Sequence, residues 1–281
     1  VSSVVCLIFR GCEILFHKTS RSLYQTENGH KNYTYCGDKD AESLLEKVLS
    51  DIGSALSGAG LAVYLGGSYG RGDGGVRQDK ENGILYNDLD FFVFARKKSA
   101  NAEMLLKKIE KKYEEILKVD VDFSSVMSVK DIKKNRQRLM MQELKRGCHL
   151  VCGEDLLAEY LPEIPAEKLP FSEACRLLLN RGMGLLLAGE KIANDSSDTD
   201  FILRNINKAI LGACDALLIA RKNYKWSIDE RLKAVNALDF PDVFKEFYAK
   251  AVEFKKSPNR EAAHDLKKVW GDVRDIFKKC I

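Results

Sequence analysis

Apolar positions change their period near residue 160. Before that point they form short runs with turn signals between them; after it they recur at helical spacing almost to the last residue. Leu44, Leu45, Val48, Leu49 and Ile52 share one helical face and predict a helix from Ala41 to about Leu56, ended by Gly58 and Gly60. Leu61 to Leu65 is a short continuous apolar run and predicts a buried strand. Residues 85 to 95 predict a second strand, 100 to 118 a helix, and Val119-Asp120-Val121-Asp122-Phe123 a third strand. Helix, strand, glycine turn, strand, helix, strand makes a compact unit with helices on one side of a sheet.

Strand signals stop after residue 126. The cationic run Lys130, Lys133, Lys134, Arg136, Arg138, Lys145 and Arg146 reads as a solvated helix, with the lining of a polyphosphate channel as its alternative. Pro162, Pro165 and Pro170 punctuate a linker. Beyond it Ser172 is placed to cap a segment ending near Ile192, and Asp198 or Asp200 to cap one reaching Tyr224. Ser227 and Glu230 have capping-box spacing, and two more helices are expected over about 241 to 256 and 259 to 279. The fold class is therefore α+β, in three regions. Residues 1–40 form a β-rich extension, 41–160 a domain with a small mixed sheet, and 171–281 an all-helical domain.

Composition narrows the setting. Eight cysteines without a CxxC pair predict reduced thiols in a cytoplasmic protein, and Cys148, His149 and Cys152 lack the second ligand pair of a zinc site. No window approaches the length of an apolar membrane span, and the apolar start VSSVVCLIF lacks the basic flank of a secretory signal. A net charge of +4 on 281 residues does not indicate a nucleic-acid partner.

The chemistry concentrates between residues 65 and 94, LGGSYGRGDGGVRQDKENGILYNDLDFFVF. Gly66, Gly67 and Ser68 give a turn whose backbone N–H groups can approach an anion without a Cβ in the way. Asp88 and Asp90, two apart in an aromatic run, leave one face of a strand, and two carboxylates held that close call for a cation. Asp120 and Asp122 repeat the pattern on the next strand, where a hard cation such as Mg²⁺ would relieve the repulsion. Together the turn and the carboxylates suit a metal-bound polyphosphate. Capping of turns at a strand start is the plainer role for the first pair.

A Gly-Ser turn, a D-x-D strand and a later Asp-bearing strand resemble the DNA polymerase beta-like nucleotidyltransferase superfamily. GGSYGRGDGG followed by NDLDFFVF looks most like its minimal nucleotidyltransferases and the aminoglycoside adenylyltransferases. The motifs cover about residues 41 to 126. The resemblance implies a polymerase beta-like nucleotidyltransferase core followed by a helical domain, two Mg²⁺ ions, and ATP or another nucleoside triphosphate as donor. It implies phosphate binding by Gly66, Gly67, Ser68 and Arg71, and metal binding by Asp88, Asp90 and Asp120, with Asp122 as the alternative third ligand and an unknown hydroxyl acceptor. The gap from Ser68 to Asp88 is longer than usual in the family and predicts an insertion loop over Asp73 to Gly83. In aminoglycoside-modifying relatives a helical-domain glutamate serves as base, which nominates Glu173 and Glu190. Trp226, Tyr224 and Phe201 are candidates for an acceptor pocket, although aromatic anchoring of a core is the plainer role. Arg260 and His264 have a spacing shorter than the Arg-x-His motifs of helical ribonuclease partners and are read as surface residues. The same resemblance leaves two rivals, an antitoxin-like module with a helical protein partner and a noncatalytic nucleotide binder.

Overall fold

The computed structural model describes residues 32–77, 83–97, 102–258 and 265–281. Most of the expected N-terminal extension, and the pair Arg260 and His264, lie outside the described residues. Among the described residues the first half folds around a five-stranded mixed sheet. Its elements are α1 (Lys39–Ala55), β1 (Ala62–Leu65), α2 (Gly67–Arg71), β2 (Leu89–Ala95), α3 (Ala102–Leu117), β3 (Val121–Phe123), β4 (Met127–Ser128), α4 (Val129–Lys134), α5 (Leu139–Arg146), β5 (His149–Cys152) and α6 (Leu156–Tyr160). Strand β1 pairs antiparallel with β2 and β5, while β3 and β4 run parallel to successive parts of β2.

Side-chain alternation along the strands sends the core two ways. Val63, Leu65, Leu89, Phe91 and Val93 share one cluster with the apolar faces of α1 and α3. Ala62, Tyr64 and Phe94 join Ile132, Met141, Leu144, Leu156 and Leu157 from α4, α5 and α6. Helices thus lie on both faces of the sheet, with α1 and α3 on the expected side. The short helices cover only part of the other face. Asp90 shares the parity of Phe92 and Phe94, so it emerges on that second face.

Strand signals do not end at residue 126. β4 and β5 follow it, each too short to show a period: β4 has two residues and the four of His149–Cys152 include an exposed Leu150. The cationic stretch 130–146 is two helices rather than one. A Ser128–Asp131 capping box starts α4, and Arg138 precedes α5.

The second half is helical: α7 (Phe171–Ala193), α8 (Thr199–Ala220), α9 (Ile228–Ala237), α10 (Asp242–Lys256) and α11 (Leu266–Lys278). Helix α8 is central and packs against all four others. Its eleven buried residues include Ile202, Ile206, Ile210, Ala213 and Cys214, so it is apolar nearly all round. Asp198 caps it by accepting from the Phe201 N–H at 3.2 Å. Pro170, not Ser172, holds the cap position of α7, and the Ser227 side chain makes no capping bond to α9. A proline pre-set in φ can start a helix without a side-chain acceptor.

Candidate active site

The glycine turn is fixed from below. Strand β1 delivers Gly66, whose N–H donates to the Asp90 carbonyl at 2.8 Å. Gly67 has φ +59°, and a Cβ there would overlap Asp90 Oδ2. Only glycine lets the turn sit against this carboxylate. The Tyr69 hydroxyl, buried at the base of the turn, donates to the Gly75 carbonyl and accepts from the Tyr86 and Asn87 N–H groups. Gly75 N–H in turn donates to Asn87 Oδ1 at 2.7 Å. These bonds tie both ends of the insertion to the turn and set the backbone just ahead of Asp88.

Parallel pairing sets Leu89 against Val121 and Asp90 against Asp122. Asp90 and Asp122 are therefore lateral neighbours on one face. Asp120 is exposed before the start of β3, where its carbonyl accepts from the Leu89 N–H. Burial and then the charge of Asp88 push the Asp90 carboxyl up. Asp122 is also raised, by burial and then by Asp120 and Asp88. Asp88 itself is held by Arg204 of α8, Nη1 to Oδ1 3.0 Å. Among the described residues, no group of three His, Cys, Asp or Glu side chains is disposed to hold a metal. Asp90 with Asp88 nonetheless suits a hard cation: both offer carboxylate oxygens, each acts on the other's charge, and Mg²⁺ takes only one or two carboxylates when phosphates supply the rest.

The helical domain packs beside this face, Arg204 reaching Asp88, and a cavity of about 180 Å³ lies between the two halves, lined by Ser68 and Arg71 but not by Asp88, Asp90, Asp120 or Asp122. Arg181 from α7 and Lys208 from α8 line it, and neither side chain has an ion-pair partner among the described residues. Burial lowers both, and the opposing charges of Glu143 and Asp215 near Arg181 and of Asp88 and Asp90 near Lys208 do not cancel it. Gly212 makes room for the Arg181 stem, which a Cβ would strike.

The other cations of the lining are ion-paired. Arg71 Nη1 lies 3.4 Å from Glu143 Oε2 and its Nε 3.5 Å from Asp73, while Lys255 Nζ meets Asp73 Oδ2 at 2.8 Å. Against the upward push of burial, Lys255 and Arg71 hold Asp73 down to about 2. Tyr224 donates to Glu143 Oε1 at 3.2 Å, and Arg231 bridges Tyr224 to Asp215.

Other predicted residues fall elsewhere. Glu173 is buried in a bond to the Leu139 N–H, with Arg138 and Arg176 beside it, so it anchors the start of α5. Glu190 is exposed outside the cavity. The glutamate that lines the cavity is Glu143. Arg146 stacks on Trp226 and Lys191 on Phe201, whereas Tyr224 is a buried part of the cavity wall. Sequence reasoning missed Arg181, Arg204, Lys208 and Asp215. A signal existed on α8: Arg204, Asn207, Lys208 and Asp215, all in the cavity wall, are polar positions in a helix whose eleven buried residues are apolar.

No protein-family model matches the chain, and no curated protein matches it. Among solved structures it is similar to a spectinomycin adenyltransferase, AAD(9), from Enterococcus faecialis, determined with ATP and spectinomycin. The identity is 18%, the TM-score 0.44, and the match covers 84% of this chain and 97% of that one. A likeness at this level does not bear on activity.

Proposed function

We propose that the interdomain cleft binds a nucleoside triphosphate, with ATP as the first candidate, and transfers its nucleoside monophosphate to a hydroxyl acceptor. The observation that carries this reading is a pairing of opposites beside the glycine turn. Arg181 and Lys208 make no ion pair among the described residues, and the charge of Asp90, packed against a turn that leaves no room for a side chain, acts on both. A polyanion accompanied by a cation satisfies both sets at once; neither alone does.

In this reading Gly67 and Ser68 cradle the phosphates, and Arg181 and Lys208 take up their charge. Asp88 and Asp90 would hold Mg²⁺, which when bound would stabilise charge on the transferred phosphoryl group and on the leaving pyrophosphate. The cavity is smaller than the roughly 300 Å³ at which small-molecule pockets begin, so nucleotide entry separates Arg204 from Asp88. The phosphates offer Arg204 a replacement anion. Asp122 is assigned the third carboxylate role in place of Asp120, because strand register sets it beside Asp90. Its raised basicity suits a group that accepts the proton of the acceptor hydroxyl. The acceptor oxygen then bonds to the α-phosphorus, the bond to the β-phosphate oxygen breaks, and pyrophosphate leaves. Arg71 is assigned to holding the turn on α5, its bonds going to Asp73 and Glu143.

Calorimetric titration with ATP, with and without Mg²⁺, tests the donor site. Binding that needs Mg²⁺ and falls in Asp90→Asn and Lys208→Met supports the reading. Binding indifferent to both substitutions refutes it. Intact-mass analysis of hydroxyl compounds incubated with the protein and ATP then finds the acceptor.

A further inference from the structure

The outer face of α7, on the side away from the cleft, is apolar and open. Leu179, Met183 and Leu186 are 77%, 59% and 66% exposed, with Phe171 and Leu187 flanking them. Steps of four and three residues put the first three on one seam, the spacing of a helix that packs lengthwise on another helix. The seam borders a groove of about 640 Å³ between α7 and α11, lined by Leu178, Leu185, Trp270 and Phe277 among others. Scattered exposed leucines need no explanation, but a continuous stripe with a groove beside it does.

The charges at its two ends identify the occupant. Arg176 and Glu190 lie on the same seam, each two helical turns from Met183 and on opposite sides of it. Glu190 is exposed and its carboxylate has no partner among the described residues, while Arg176 touches Glu173 with half its side chain still open. If a second α7 packs antiparallel with Met183 on the twofold axis, Arg176 meets Glu190 of the partner subunit, and the same holds in reverse. Leu179 then faces Leu187 of the partner subunit, and Leu186 lies over the gap between the partner's Leu179 and the partner's Met183. A twofold contact requires one surface to be complementary to itself. This stripe meets that condition in both its apolar and its charged positions.

We infer that the chain forms a homodimer through the Phe171–Glu190 face of α7, with Arg176 and Glu190 pairing across the axis. The face is about 28 Å long and, with the α11 flank, about 20 Å wide, so the pair buries roughly 1,100 Å². That is the lower end for a specific interface, and the dimer dissociates on dilution. The cleft lies on other faces of α7 and α8, so the dimer leaves it open.

Sedimentation velocity over a dilution series decides the matter. The expected result is a mass that rises toward twice the chain mass with concentration. Leu179→Glu with Leu186→Glu should stay monomeric throughout while keeping its helical circular dichroism, since both side chains are exposed. Glu190→Arg should weaken the dimer about tenfold by facing two arginines, and adding Arg176→Glu should restore it. If the leucine variant loses helical signal, Glu190→Arg carries the test alone. A wild-type chain that stays monomeric at the highest concentration overturns the inference, whether or not a foreign helix binds there. So does a dimer that survives these substitutions.

Discussion

The cations that line the interdomain cavity fall into two sets. Arg71, Lys255 and Arg231 each make an ion pair with a carboxylate. Arg181 and Lys208 make none among the described residues, although carboxylate charge lies near both. Burial lowers Lys255 as it lowers Lys208, so the ion pair and not the direction of the shift separates the sets. Paired charge on both sides of a cleft fixes how two domains sit. In the proposed reading the unpaired cations take up the charge of an outside anion. Substitutions in the two sets should therefore separate stability from binding.

The largest expected effect is on transfer. Asp90→Asn should lower nucleotidyl transfer about 10²- to 10³-fold in a discontinuous assay with ATP, with little change in melting temperature. In the ion-paired set, Lys255→Met should cost about 3 kcal/mol in urea unfolding, because Asp73 is left buried with a weaker partner. The pH dependence follows the same pair. Asp73 is held below its unfolded value, so its contribution is complete above about pH 4 and disappears as pH falls toward 2. Its size is about 2 kcal/mol, and Lys255→Met should flatten the unfolding free energy over that range. Smallest in energy is Lys208→Met, which should weaken nucleotide binding about tenfold and leave stability unchanged or raised, since a desolvated cation is removed. If Lys208→Met destabilises as much as Lys255→Met, the contrast between the paired and unpaired cations is wrong.

Legibility in the sequence followed how local each feature is. The buried strands at 62–65 and 89–95 announce themselves because every residue or every second residue is apolar, and α1, α3 and the long C-terminal helices because their apolar stripes persist for several turns. β4 and β5 did not, since a strand of two or four residues has no period to read and exists through its partners. Glycines 66 and 67 and the Asp88–Asp90 pair were visible as residue types. Which acidic residue of β3 stands beside Asp90 was not, because Asp120 and Asp122 have the same parity and only pairing register separates them. Glu173 shows the converse limit: a family resemblance nominated it as a base, and its bonds to Leu139 and Arg138 show it anchoring a helix.

By itself the sequence determined the α+β order of elements, the glycine turn and the same-face carboxylates, since these depend on neighbours within a few residues. The tertiary structure decided what surrounds them. It brought Arg204 to Asp88 from 116 positions away and lined the cavity with Arg181 and Lys208. Charge compensation between domains depends on how apolar helices pack around α8, and that packing leaves only a few polar positions in the sequence it is written in.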